Sequence, residues 1–139
     1  MKKERLLKDL NLDETRIAIQ GYSPVSYIEK GVAEKGSPEF AVTHEGTIYH
    51  MTSAEQAERF KKEPEKYLPE YGGWCAYGMA IQKKLPIDPK SFKVVDGRLM
   101  LFLNNEKVDA LELWNKEDEN KMTMKADKFW DSLEEAKAA

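Results

Sequence analysis

The sequence predicts a small single-domain α+β fold with two β-hairpins and several short helices. Two dipeptides, Glu45-Gly46 and Asp96-Gly97, each separate two runs rich in β-branched and aromatic residues, a pattern typical of hairpin turns. Short segments with N-cap residues and helical spacing lie between and after these hairpins. The length of 139 residues fits one domain, since roughly 100–200 residues per domain is usual.

The first elements lie before the hairpins. Residues 1–15 form a charged lead-in whose leucines, Leu6 and Leu7 among them, have partial helical spacing, and a short helix here would dock or fray. Residues 16–20 are apolar enough to predict a short strand that ends at the following glycine. The domain proper is expected to span residues 16–136.

Residues 22–28 predict a short helix. Ser23 suits the N-cap, Pro24 suits the first turn, and Gly31 ends the element. Further along, Ser53 and Gln56 have the spacing of a capping box, which opens the next helix. The other predicted elements are a hairpin over 40–51, a turn of helix from Pro64, a hairpin over 92–103, and helices over 106–117 and 121–136. The sequence shows no internal repeat.

The amino-acid composition argues against two classes of protein, dedicated nucleic-acid binders and membrane-spanning proteins. The chain has 22 Lys and Arg against 25 Asp and Glu, a net charge of −3, so it lacks the basic excess of a dedicated nucleic-acid binder. No apolar run approaches the roughly 18–20 residues of a membrane span, and no apolar leader follows the basic start. Two cellular compartments are consistent with the sequence: a mature exported form would be periplasmic, and otherwise the chain would be cytoplasmic.

Several aromatic residues and glycines cluster around one predicted turn and predict a small-molecule pocket beside Trp74 and Cys75. The glycines would permit close approach of a ligand to the backbone, although they would equally let the chain turn beneath a packed tryptophan. The lining residues predicted for this pocket are Tyr22, Tyr27, Tyr49, Gly72, Gly73, Trp74 and Tyr77.

A longer string of residues resembles the YHS domain family, in particular its stand-alone bacterial branch, over about residues 17–133. The resemblance implies binding or handling of a metal, because the family is related to heavy-metal-binding modules of copper-transporting ATPases; members of the stand-alone branch are often exported. The residues that carry it are 18–27, Gly46, Tyr49, Ser53, Phe60, Pro64, Tyr67, Pro69, 71–76, Asp88, Pro89, Asp96, Gly97, Leu99, Asn104, Trp114, Ala126, Asp127 and Trp130.

The chain departs from the metal-binding members at the positions of their thiols. Its first motif has Ser23 and Ser26 in place of cysteine, and Met51 and three residues without a thiol follow the first hairpin. Only Cys75, within its Tyr-Gly-Gly-Trp-Cys-Ala setting, is carried over as a ligand.

A soft metal ion such as copper is the cofactor that these residues favour. Cys75 and Met79 are four residues apart and would share a helical face, and thiolate and thioether ligands favour Cu(I). Either His50 or Met51 could add a ligand, but not both, since neighbours on a strand point to opposite faces. The alternative is that Cys75 and Met79 are core residues. A homodimer would supply two thiolates from one cysteine per chain.

Three classes therefore remain: a metal-binding module, a small-molecule-binding domain and an interaction module without chemistry. One cysteine excludes zinc fingers and iron–sulfur clusters, which need several thiolates. A nucleophilic Cys75 with His50 as its base is the one catalytic pair available, and the sequence favours a protein that is not an enzyme. His44, beside the first hairpin turn, is expected to be exposed.

Overall fold

The computed structural model describes residues 9–138, with side-chain surroundings for residues 9–133. Within that range six helices and two antiparallel hairpins form one α+β domain, as the sequence predicts. In chain order the elements are α1 (Pro24–Lys30), β1 (Ser37–His44), β2 (Thr47–Met51), α2 (Ala54–Lys62), α3 (Pro64–Tyr67), α4 (Ala76–Ala80), β3 (Asp88–Val95), β4 (Arg98–Phe102), α5 (Ala110–Asn115) and α6 (Glu119–Ala138).

Both predicted hairpin turns are confirmed. In each turn the two central residues have positive φ: 50° and 82° at Glu45 and Gly46, and 51° and 77° at Asp96 and Gly97. A turn of this kind matches the right-handed twist of the two strands it joins, so it closes a two-residue hairpin without splaying the strands.

The caps of α1 are also confirmed. The hydroxyl of Ser23 accepts a hydrogen bond from the backbone N–H of Ser26 at 3.4 Å, Pro24 is the first helical residue, and Gly31 ends the helix with φ 70°. Ser23 accepts from an N–H group that has no partner within the helix, Pro24 has no N–H group that needs one, and Gly31 adopts the left-handed conformation that ends the helix.

The segment before α1 is not the strand that the sequence predicts. Ile17 makes a single bridge to β2, and the next four residues, Ala18–Gly21, form a tight turn. Ile19 and Gln20 have φ of 53° and 51°, a left-handed conformation that reverses the chain and cannot continue a ladder. We call Ala18–Gly21 the first left-handed turn.

The capping box of α2 is confirmed in one half. Ser53 accepts a hydrogen bond from the backbone N–H of Gln56 at 3.1 Å, but the Gln56 side chain accepts one from Thr52 rather than from Ser53. The predicted helix over 106–117 is shorter, because Asp109 caps it by accepting from Glu112 at 3.1 Å.

The two halves of the fold repeat one another, although the sequence predicts no internal repeat. A second left-handed turn, Glu70–Gly73, precedes α4 just as the first precedes α1, and its Tyr71 and Gly72 have φ of 57° and 62°. Each turn is followed by a short helix and then by a hairpin. We call residues 17–67 the first unit and residues 69–133 the second unit.

Equivalent backbone contacts recur in the two units. The Ser23 N–H donates to the Glu34 carbonyl at 2.8 Å, and the Cys75 N–H donates to the Leu85 carbonyl at 3.0 Å. The first strand of each hairpin carries a bulge, and the residue before each left-handed turn, Ile17 or Pro69, makes a parallel bridge to the second strand of its own hairpin. The identical residues at equivalent positions include Gly21 with Gly73, Pro38 with Pro89, and Gly46 with Gly97.

The second hairpin occupies the centre of the core. Four consecutive residues of β4, from Leu99 to Phe102, are buried, and Phe102 packs edge-on against Trp114 with ring centroids 5.5 Å apart. In β2, by contrast, buried residues such as Met51 alternate with half-buried ones such as His50. The first hairpin therefore packs with one face and leaves the other available.

The end of the lead-in packs on the second unit. The backbone and the side-chain amide of Asn11 donate hydrogen bonds to the carbonyls of Gly72 and Gly73 at 2.9 and 3.0 Å, and the Trp74 indole donates to the carbonyl of Asp9 at 2.7 Å. Leu6 and Leu7, which predict a helix with their neighbours, lie outside the described residues. In the described part of the chain, no helix combines the length and the apolar character needed to cross a membrane.

Candidate functional site

A cleft of about 480 Å³ lies where the first left-handed turn, the first hairpin and the end of the lead-in meet. Its walls combine apolar side chains with several polar groups, and Gly73 of the second left-handed turn also reaches it. The lining residues are Asn11, Asp13, Thr15, Ile17, Ile19, Gln20, Gly21, Lys35, Gly36, Pro38, His50, Gly73 and Ile87. We call this space the cleft.

Two glycines let the chain approach itself closely at the cleft. A Cβ atom on Gly36 would lie 2.3 Å from the carbonyl oxygen of His50, so any other residue here would push the two segments apart. Gly21 has φ 86°, and a Cβ atom there would lie 3.4 Å from Nδ1 of His50. The imidazole of His50 therefore lies directly against the first left-handed turn.

Some polar groups of the cleft are already engaged. The side-chain amide of Gln20 donates to the carbonyl of Ile87 at 3.2 Å, which ties the first left-handed turn to the segment before β3. Hydrogen bonds from the hydroxyl and the backbone N–H of Thr15 lower the pKa of Asp13 below the ordinary value of a carboxyl group. Asp13 is therefore an exposed, ionised carboxylate at the rim.

Two other polar side chains of the cleft have no such hydrogen-bond partners among the described residues. Neither the ammonium of Lys35 nor the imidazole of His50 makes a hydrogen bond or an ion pair with the residues that the structure describes. Lys35 is exposed and His50 is half-buried. The cleft therefore offers two nitrogen groups to a ligand.

Cys75 lies elsewhere, in the core of the second unit. It is fully buried at the N-cap of α4, and its sulfur accepts hydrogen bonds from the backbone N–H groups of Gly78 at 3.5 Å and Leu103 at 3.3 Å. Burial raises the pKa of the thiol above its ordinary value despite these two donors. The neutral thiol is thus favoured, which works against a nucleophilic or ligating thiolate.

The three predicted metal ligands are only partly brought together. Cys75 and Met79 lie one turn apart at α4 and are both fully buried, whereas His50 lies against Gly21 in the first unit, and no hydrogen bond joins it to Cys75. Among the described residues, no group of three or more His, Cys, Asp or Glu side chains is arranged to hold a metal ion.

The predicted aromatic pocket is divided among different contacts. Tyr27 is buried and donates to the carbonyl of Pro89 at 2.7 Å, while Tyr49 is buried with its ring 4.9 Å from that of Phe60. Tyr22 and Tyr77 are half-buried.

Packing also fills the space beside Gly72. A Cβ atom on this residue would lie 2.8 Å from the side chain of Leu10 and 3.0 Å from that of Trp130. Trp74 itself is half-buried under the end of the lead-in and has the Lys84 ammonium 5.9 Å from the centroid of its ring. Of the predicted pocket residues, Gly73 alone lines the cleft.

His44 is half-buried rather than exposed. Its ring lies edge-on to Phe60 with centroids 6.2 Å apart, and Nε2 is 3.8 Å from a carboxylate oxygen of Glu45. The hairpin turn folds back over α2, and this explains why a residue beside the turn is partly covered.

Most residues of the cleft have no signal in the sequence. The sequence indicates a role for His50 and Gly73 but not for Lys35, Asp13 or Gln20, because a surface lysine or carboxylate has no local signal that distinguishes it from other charged residues. A usable signal was Gly36, which follows Lys35 and stands where the chain enters β1.

Comparison of the chain with protein-family models, with curated proteins and with solved structures finds no match. The resemblance to the YHS domain family therefore stays a prediction.

Proposed function

We propose that this protein is a small-molecule-binding domain whose ligand occupies the cleft. The observation that carries the proposal is the cleft itself, which at about 480 Å³ falls within the roughly 300–1,000 Å³ typical of ligand sites. Apolar walls beside a few convergent polar groups are the usual composition of such sites.

The proposal moves the binding site predicted beside Trp74 and Cys75. The space around Gly72 is filled by Leu10 and Trp130, whereas the face of the molecule towards Gly73 opens into the cleft. Rigid supports surround the cleft, since Gln20 bonds the segment before β3 and Asn11 bonds the second left-handed turn. A preformed site of this kind keeps the ordering cost of binding low.

The test is a nuclear magnetic resonance screen with a fragment panel that includes benzoate, benzamide, benzylamine and phenyl phosphate. We expect at least one fragment to cause saturable shifts of the backbone amides of Gly21, Gly36 and Gly73. Pro38→Trp should abolish these shifts, because an indole at this exposed wall position would occupy the cleft.

Glu39→Trp is the matched control, because it adds the same side chain to the next residue of β1, which is exposed and does not line the cleft. It should leave the shifts unchanged. The proposal is wrong if no fragment shifts the three glycine amides, or if both tryptophan variants behave alike.

Binding of a soft metal such as copper is a second proposal, which rests on Cys75 and Met79 alone. A thiol and a thioether one helical turn apart in the buried interior are ligands that suit Cu(I). Because Cys75 is fully buried in its own domain, a homodimer that shares it would have to open α4.

The metal proposal is tested by competition of the protein with a Cu(I) chelator. If it holds, the wild type withdraws Cu(I) from the chelator, and both Cys75→Ser and Met79→Leu withdraw less. Equal competition by the wild type and Cys75→Ser would exclude this site, whatever the outcome of the fragment screen.

A further inference from the structure

We infer that the cleft takes a small organic anion and holds its carboxylate or phosphate group between Lys35 and His50, above Gly21. The inference rests on the proposed function and names the chemical class of the ligand. It follows from the place where these two side chains converge, from the absence of a carboxylate partner for them among the described residues, and from the residues that line the cleft beside them.

Both side chains lie over the same small area of backbone. A Cβ atom on Gly21 would lie 3.4 Å from Nδ1 of His50 and 3.9 Å from Cε of Lys35, so the absence of a side chain at Gly21 leaves open space between them. The two side chains border this gap from different segments, so Nδ1 of His50 and the ammonium at the end of the flexible Lys35 side chain can reach the same oxyanion.

Nearby carboxylates do not neutralise this pair. Glu34, the residue before Lys35, is held by Lys30 at 3.0 Å and by the Ser26 hydroxyl at 2.7 Å. Asp13, which also lines the cleft, is ionised, but it makes its hydrogen bonds with Thr15 and no ion pair with Lys35. Among the described residues, Lys35 therefore keeps a charge that no protein carboxylate balances.

Several other basic side chains of the chain do have such partners. Arg59 pairs with Glu29 at 2.9 Å, and Lys93 pairs with Glu119 at 2.6 Å. Lys35 differs from a lysine on a convex surface because its side chain passes over Gly21 at a concave site beside the half-buried imidazole of His50. An anion held there is less surrounded by water, so its attraction to the ammonium is less screened.

The remaining walls set the rest of the ligand. Ile17, Ile19 and Ile87 give an apolar surface suited to a short hydrocarbon or aromatic body. Asp13 stands at the rim as a carboxylate and would repel a second negative charge. The cleft thus favours one anionic head group on an apolar body over a ligand with an anionic group at each end.

The experiment compares four probes that share a benzene ring: benzoate, phenyl phosphate, neutral benzamide and cationic benzylamine. Dissociation constants are measured by nuclear magnetic resonance titration at low and at physiological salt concentration. At least one anion should bind about tenfold more tightly than benzamide, since a charge-assisted contact adds roughly this factor. Higher salt should reduce this advantage. The better anion tells whether the site prefers carboxylate or phosphate geometry.

Lys35→Gln and His50→Ala should each weaken binding of the preferred anion about three- to tenfold and leave benzamide unchanged. Lys90→Gln is the matched control, because Lys90 is also exposed but does not line the cleft. Backbone resonances of each variant report whether it keeps its fold.

The outcomes separate this inference from the proposed function. If benzamide binds in the cleft as tightly as the anions, or if Lys35→Gln and Lys90→Gln have equal effects, the anion site is wrong and the small-molecule cleft stands. If no probe and no other fragment shifts Gly21, Gly36 and Gly73, both are wrong.

Discussion

The first and second units use one backbone design in two surroundings. Each has a left-handed turn, a capped short helix and a bulged hairpin, but β2 is buried on one face while β4 is buried on both. The position of His50 in β2 corresponds to that of Leu101 in β4, which is 1% exposed. Because the second unit supplies most of the core, the second strand of the first hairpin can leave one face to line the cleft.

The helix caps show the same contrast. Ser23 and Cys75 occupy equivalent N-cap positions, and each accepts a backbone N–H of its helix. Ser23 also donates to Gln56 at 2.7 Å, and Gln56 donates to Ser26 at 3.0 Å, so the first unit has a satisfied polar network in its interior. The second unit has sulfur at this position, and the structural task of Cys75 there is to cap a helix.

The largest effect is expected where the two hairpins differ in burial. Leu101→Ala should lower the free energy of unfolding by about 2–5 kcal/mol, because it leaves a cavity in the core. His50→Ala, at the equivalent position of the first hairpin, should cost about 1 kcal/mol or less. Denaturant unfolding of the two variants measures the difference, and similar losses would contradict the assignment of central and peripheral hairpins.

A smaller difference is expected between the two left-handed turns. Gly72→Ala should cost about 2–4 kcal/mol, because the backbone has a left-handed φ of 62° and the new Cβ would meet several atoms at once: a methyl of Leu10 at 2.8 Å, the Trp130 ring at 3.0 Å and Cα of Leu10 at 3.4 Å. Gly21→Ala should cost about 1–2 kcal/mol, since the backbone is also left-handed but His50 is 3.4 Å away and can move. Thermal or denaturant unfolding checks the order, and a larger loss for Gly21→Ala would reverse the comparison.

The smallest effect concerns Tyr67, where α3 of the first unit contacts α1. Its hydroxyl donates to a carboxylate oxygen of Glu29 at 2.7 Å, and Tyr67→Phe should cost about 1 kcal/mol at neutral pH. Burial, together with this hydrogen bond, raises the pKa of Tyr67 to about 12 from an ordinary 10.0.

The neutral phenol is therefore favoured in the folded state, and the stability that it contributes is present below pH 10 and is lost as the pH rises from 10 to about 12. Unfolding free energies of wild type and Tyr67→Phe across that window measure this contribution. The wild type should lose stability more steeply than the variant, and parallel curves would show that Tyr67 has no part in the alkaline dependence.

The sequence predicts the elements whose signals are local. The Asp96-Gly97 turn and the Ser23 cap depend on residues next to one another, so a single sequence suffices to find them. The turn at Ile19 was predicted as a strand, because an apolar β-branched residue rarely has a φ of 53° and only contacts made elsewhere in the fold stabilise it. The sequence does not predict the repeat for a similar reason: the two units share their backbone geometry, whereas most of their equivalent side chains differ.

The candidate site divides in the same way. His50 and Gly73 could be found as residue types with special chemistry or conformation, whereas Lys35 becomes informative only when Gly21 lies beneath it. Cys75 is a candidate because of its thiol chemistry. Its surroundings depend on how α4 packs on β4, and the spacing of residues in the sequence does not predict this packing.

The bonds from Asn11 to the second left-handed turn join parts of the chain that are 62 residues apart at the Asn11–Gly73 contact. Contacts at such a separation close a long loop, and their formation therefore carries an entropic cost that local contacts do not have. The cleft is formed by the end of the lead-in, the first left-handed turn and the first hairpin together, so a half-folded chain has no cleft. A ligand of the cleft would bind only the complete fold and would raise its stability in proportion to the logarithm of ligand concentration, which makes the ligand a sensor of whether both units have assembled.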